Sequence, residues 1–86
     1  MKDIVFEQTA FDDLTFWVKT DIRIAKKILQ LIENITKTPY TGIGKPEALK
    51  HQLQGYWSRR IDDEHRLIYR VEVTSIVIVA CRYHYS

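Results

Sequence analysis

The sequence has little cysteine, no long apolar run and no strong excess of either charge. Cys81 is the only cysteine among 86 residues. No internal disulfide can form, which suits a reducing compartment. Its place in the apolar run SIVIVAC predicts a buried, inert thiol rather than a nucleophile. No apolar run approaches the roughly 18 residues that a membrane span needs. The start, MKDIVFEQ, carries Asp3 and Glu7 and has no signal-peptide apolar segment. These absences exclude a secreted disulfide scaffold and a membrane protein, and the expectation is a cytoplasmic one. His51, His65, Cys81 and His84 follow no CxxC or HxxxH spacing, so nothing in the pattern points to a metal. Repeats, linkers and low-complexity segments are missing too.

What is there suits a soluble globular protein, with 45% hydrophobic and 28% charged residues. The length predicts a single domain over residues 1–86 with one small core. Such a chain buries roughly 60–65% of its unfolded surface, enough to fold with little margin. The net charge of +2 is unevenly spread. Residues 37–60 hold Lys37, Lys45, Lys50, Arg59 and Arg60 against Glu47 alone, while the flanking segments are slightly acidic. A local basic stretch is what polyanion binding needs. Charge alone does not separate that from a solvated loop.

Periodicity sets the elements. DIVFE reads as a short strand with Ile4 and Phe6 on one face. Thr9, with Asp12 three residues on, predicts a helix cap, and Phe11, Leu14, Trp17 and Val18 then recur at helical spacing. Thr20-Asp21 restarts a second helix whose stripe is Ile24, Ile28, Leu31, Ile32 and Ile35. So short a turn predicts an antiparallel helical hairpin. Thr38-Pro39 stops the second helix. YTGIGKPEALK follows as a loop, with a short strand expected near Leu49–Leu53. YWSRRI, HRLIYRVEV and SIVIVACRY read as three strands joined by tight turns. The order predicts an α+β domain: an N-terminal strand, then a two-helix hairpin packed on a mostly antiparallel sheet of four to five strands.

The hairpin WSRRI-DDE-HRLIY carries the first chemical signal. A three-residue loop over Asp62–Glu64 pairs Arg60 with Arg66. Directly opposed residues share a face, and like charges there are destabilising unless an anion lies between them. A carboxylate such as Glu47 or Glu72 could serve, and a phosphate matches guanidinium forks better. A slip of one residue would put the two arginines on opposite faces. Glu47, Lys50 and His51 lie on the loop upstream, and His84 and Tyr85 on the terminal arm. A carboxylate, a histidine, two arginines and a lysine suffice for metal-free RNA cleavage. The ribose 2′-hydroxyl attacks its phosphate, with a base, an acid and cations assisting. Tyr85 or Trp57 could stack on an unpaired base. Spacing alone does not show that these residues converge.

The stretches TPYTGIGKPEALKHQLQGYWSRRI, DEHRLIYRV and ACRYHY, with FDDLTFW and TDIRIAKKI, resemble the YoeB family across essentially the whole chain. This is a branch of the RelE-type bacterial toxins, ribosome-dependent mRNA interferases of toxin–antitoxin modules. The resemblance implies a RelE-like, or microbial ribonuclease-like, fold and endonucleolytic cleavage of mRNA in the ribosomal A site. Glu47 then matches the general base, His84 the general acid and Arg66 the transition-state stabiliser. Lys50, Arg60 and Tyr85 match residues that hold substrate or orient the site, with His51 a further substrate contact. The family uses no metal. The implied partners are the ribosome and mRNA, a YefM-type antitoxin, operator DNA through the antitoxin complex, and a second copy in a homodimer. Two departures are Ala48, where a proline is common, and Ser86, which follows the tyrosine at which such chains usually end. A binding protein that occupies the A site without cutting, and a co-repressor acting with its antitoxin, are the competing readings. An unperturbed imidazole is mostly neutral at pH 7. The acid role therefore requires bound phosphate and Glu47 to hold His84 charged against the arginines.

Overall fold

The computed structural model describes residues 2–84. Its order is β1 (Asp3–Phe6), α1 (Gln8–Thr20), α2 (Ile22–Lys37), β2 (Glu47–Ala48), β3 (Trp57–Arg60), β4 (Arg66–Val71) and β5 (Ser75–Ala80), with a 3-10 turn at His51–Leu53. The sheet order is β1-β5-β4-β3-β2. Only β1 pairs in parallel, with β5; the other neighbours are antiparallel. This is the expected α+β arrangement, with two helices on a five-stranded mixed sheet. No helix among the described residues is long and apolar enough to cross a membrane.

The core follows from the second helix. Its stripe Ile28, Leu31, Ile32 and Ile35 is buried together with Ala25, against Leu67, Tyr69, Ile76 and Ile78 of the sheet. Each such side chain contributes on the order of 1.5–3 kcal/mol by leaving water. Asp21 caps α2, its carboxylate accepting from the Arg23 backbone N–H at 3.1 Å.

The first helix differs from its reading. It begins at Gln8, with Glu7 in the capping position and no side-chain cap, so Thr9 lies inside the helix. Strand pairing sets this boundary. The Glu7 N–H still bonds the Ile78 carbonyl at 2.9 Å, while its own carbonyl accepts from Phe11 at 3.0 Å. The inward face runs through Ala10, Leu14 and Trp17, and Phe11 and Val18 are exposed.

The strand expected near Leu49–Leu53 lies earlier, at Glu47–Ala48, which pairs with Ser58 and Trp57. After one further bond, Leu49 N–H to Tyr56 carbonyl at 2.9 Å, the chain reverses through the 3-10 turn. That reversal uses left-handed backbone at His51 and Gly55.

Candidate functional site

Strand parity divides two neighbouring arginines. Trp57 and Arg59 point from β3 toward the helices, Ser58 and Arg60 toward the other face. Arg59 is completely buried. Its guanidinium donates to the Asn34 side chain, to the carbonyls of Ile43 (3.0 Å), Thr38 (2.7 Å) and Thr41 (2.9 Å), and to the Tyr69 hydroxyl (3.3 Å). The Tyr69 hydroxyl in turn donates to the Pro39 carbonyl at 2.6 Å, and burial raises its pKa. Arg59 thus ties down the loop after α2 and leaves the basic stretch counted from sequence. Gly42 is packed under this knot, where a Cβ would collide with the Asn34 side chain, and its φ of 118° is left-handed. Trp57 is half-buried beside Tyr40, ring centroids 4.9 Å apart, on the face away from Arg60. It is not placed as a stacking partner for that site.

On the opposite face, the register is the one the hairpin predicts. Arg60 stands directly across from Arg66, and Glu47 across from Ser58. The Arg60 N–H bonds the Gly44 carbonyl at 2.6 Å, which lays the GKPE segment along β3. A cleft of about 330 Å³ results, lined by Lys45, Glu47, Ser58, Arg60, Arg66 and His84. Among the described residues, Lys45, Arg60 and Arg66 face one carboxylate there. Neither Glu47 nor Glu72 bridges the arginine pair. Arg60 reaches exposed Asp63 at 3.1 Å, Arg66 donates to the carbonyls of Asp62 (2.8 Å) and His65 (3.1 Å), and Glu72 accepts from Arg70 (2.8 Å).

His84 comes from the arm after β5. The arm is fixed to α1 by Cys81 N–H to Asp13 carboxylate (3.0 Å) and Trp17 indole N–H to Cys81 carbonyl (2.8 Å). The Arg82 guanidinium lies 3.6 Å over the Phe16 ring. The Cys81 thiol is buried and pushed up to about 12, chiefly by loss of hydration, so it is inert as expected. Desolvation also raises Asp13.

Lys50 and His51 line a neighbouring concavity of about 440 Å³, which shares Glu47 with the cleft. Tyr85 lies outside the described residues. Lys45 and Ser58 are cleft residues that the sequence reading did not assign. Ser58 shares parity with Arg60, and Lys45 lies two residues before Glu47; both signals were available. Lys45, His51 and Tyr83 are the non-glycine residues with left-handed φ among those described, at 51°, 58° and 71°. All three line or adjoin these cavities, where backbone strain commonly collects. No group of three or more His, Cys, Asp or Glu among the described residues is disposed to hold a metal ion.

A carboxylate, an imidazole and paired guanidinium forks around one cleft supply a proton acceptor, a proton carrier and an anion cradle. Residues 6–85 match the family model of the YoeB-like toxin of bacterial type II toxin–antitoxin systems. This chain belongs to that family. Toxin YoeB of Escherichia coli K12 is 52% identical over 95% of this chain and 98% of its own length. A structure described as the YoeB dimer of Staphylococcus aureus superposes with a TM-score of 0.92 at 45% identity, covering 98% of each chain. The heterotetrameric YoeB–YefM complex of the same organism contains a chain at TM-score 0.89 and 44% identity, with 99% of each chain covered. The YoeB family membership fixes the fold as RelE-like.

Proposed function

We propose that this YoeB-family toxin is a metal-independent endoribonuclease that cuts mRNA in the ribosomal A site and so stops translation. The observation that supports this reading is the common cleft of Glu47, Arg60, Arg66 and His84. Glu47 takes the proton of the ribose 2′-hydroxyl as that oxygen attacks the adjacent phosphorus. His84 gives a proton to the departing 5′-oxygen. The products are a 2′,3′-cyclic phosphate and a free 5′-hydroxyl. Arg66 neutralises charge that grows on the phosphoryl oxygens, where fixed cations act most strongly. Arg60 and Lys45 hold the scissile phosphate. Lys50 and His51, in the adjoining concavity, contact the neighbouring nucleotides, and Tyr85 supplies the terminal substrate contact.

The solved relatives named as a YoeB dimer and a YoeB–YefM complex support a YefM-type antitoxin and a homodimer here. Operator binding would then belong to the toxin–antitoxin complex. The function is tested by translation in a purified system containing a chelator, with mRNA integrity followed on a gel. Arrest with fragmented mRNA is expected, with fragmentation slowed about 10²–10⁴-fold but still measurable in Glu47→Ala and His84→Ala. Arrest with intact mRNA would replace the enzyme by an A-site blocking protein.

A further inference from the structure

The arm that carries His84 is held on two sides. The α1 contacts at Cys81 and Arg82 are one. The other is at Tyr83, whose backbone is gripped at both ends by consecutive residues of the β3–β4 hairpin. The Tyr83 N–H donates to Nδ1 of His65 at 2.8 Å, and the Tyr83 carbonyl accepts from the Arg66 N–H at 2.9 Å. Tyr83 has left-handed backbone, φ 71°. That conformation is uncommon for a tyrosine, and the two bonds hold the backbone in it. It turns the chain out of the β5 direction and toward the cleft that His84 lines.

His65 is itself immobilised. It is 8% exposed, its ring stands edge-on to Trp17 with centroids 4.7 Å apart, and its backbone N–H donates to the Asp62 carboxylate at 2.7 Å. Nδ1 accepts, so the proton of the neutral ring sits on Nε2, which faces the exposed Glu64 carboxylate at 3.7 Å. A buried histidine with its tautomer set by a main-chain N–H, one residue before a cleft arginine and holding the residue before a cleft histidine, has no part in the proton transfers above.

We infer that His65 is a positioning residue: its Nδ1 fixes the main chain at Tyr83 and thereby sets the imidazole of His84 over the cleft, in register with Arg66. This rests on the ribonuclease reading. It adds a residue that touches neither substrate nor reacting atoms. A misplacement of about 1 Å in a reacting group costs about 10²-fold in rate.

The test joins a structural and a kinetic readout on the full chain. The Nδ1···H–N bond is measured as a scalar coupling between the His65 Nδ1 and Tyr83 amide nitrogens in a ¹⁵N-labelled sample. His65→Phe keeps the ring against Trp17 and removes the acceptor, whereas His65→Asn keeps an acceptor near the Nδ1 position. The expected result is a visible coupling and a 10- to 100-fold lower kcat for His65→Phe, with KM nearly unchanged. His65→Asn should recover part of the rate. In a His84→Ala background, His65→Phe should cost nothing further, because the group it positions is gone. Equal losses in both backgrounds would make His65 a packing residue and overturn the inference, as would wild-type kcat in His65→Phe or an absent coupling. If His65→Phe fails to fold, His65→Asn and the coupling decide. If the wild-type protein does not cut mRNA while the coupling is present, the ribonuclease reading fails and the backbone clamp stands.

Discussion

Arg60 and Arg66 face each other across two antiparallel strands, and among the described residues no carboxylate bridges them. Both turn instead toward the one loop that joins their strands, Arg66 to the Asp62 carbonyl and Arg60 to a fully exposed Asp63. An exposed ion pair of this kind is worth about 0–1 kcal/mol, so it competes weakly with an arriving anion. The proposed function makes this pair a phosphate fork, and an anion between the two guanidinium groups would relieve their like-charge repulsion.

Inorganic phosphate should therefore stabilise the protein. At about 100 times its Kd the gain is about 2.7 kcal/mol, read as a rise in Tm. Arg60→Ala and Arg66→Ala should each reduce that rise. Without phosphate, Arg66→Ala should change stability by less than about 1 kcal/mol, yet abolish cleavage. A Tm drop as large as that of a core deletion would show that Arg66 is structural.

The Glu47–His84 assignment makes the cleavage rate bell-shaped in pH. A general base and a general acid acting in one step each contribute one limb of such a profile. Glu47→Gln should remove the acid limb and His84→Gln the alkaline limb, each with a loss of about 10²–10⁴-fold. Single-turnover rates on programmed ribosomes measure both. Wild-type activity that persists unchanged well above neutrality would eliminate His84 as the acid.

Arg59 should behave as the opposite of Arg66. Arg59→Met removes the guanidinium bonds to the Asn34 side chain and to the carbonyls of Thr38, Thr41 and Ile43; Asn34 keeps only the Ile43 N–H and Thr41 only the Thr38 hydroxyl. Each lost part-buried bond is worth about 0.5–1.5 kcal/mol, so a loss of at least about 2 kcal/mol in urea unfolding is expected. Arg59→Lys should not rescue it, because one ammonium cannot span acceptors spread along a planar fork. An Arg59→Met protein of wild-type stability would contradict the knot.

The Cys81 thiol titrates at about 12 rather than at the usual 9.0. Its folded pKa is raised, so its contribution is fully present below the unfolded value and is lost as pH rises from about 9 toward about 12. Stability should fall over that window, and Cys81→Ala should fall less steeply. Iodoacetamide at pH 8 should modify Cys81 only in denaturant. Rapid alkylation of the native protein would contradict the burial.

Much of the fold was legible because local rules agreed with it. The α2 stripe and the Thr20-Asp21 restart obey helical period and capping chemistry. The Arg60–Arg66 pairing follows from the three-residue loop at Asp62–Glu64. The first helix misled because Phe11 and Val18 are apolar yet face solvent, while Asp13 is turned inward to bond the Cys81 N–H. Thr9 looked like a cap, but pairing of Glu7 with β5 decided the boundary. Arg59 was counted as surface charge, although its parity with Trp57 already placed it on the helix face. Lys45 and Ser58 went unassigned for the same reason: parity and chain neighbourhood were read for charge, not for facing. The roles of Glu47 and His84 came from family resemblance, since no spacing rule brings residues 47 and 84 into one cleft. The tertiary contacts of Cys81 and Tyr83 do that.

The central claim is that this protein cuts A-site mRNA through the 2′-hydroxyl, and one measurement addresses it directly. Purified ribosomes are stalled with a defined A-site codon, the protein is added with a chelator, and mRNA ends are mapped by primer extension. The codon is supplied either as ribose throughout or with 2′-deoxy sugars. A new 5′ end within the ribose codon, and none in the deoxy codon, is the predicted result. Intact ribose mRNA, or cleavage of both, would contradict the account.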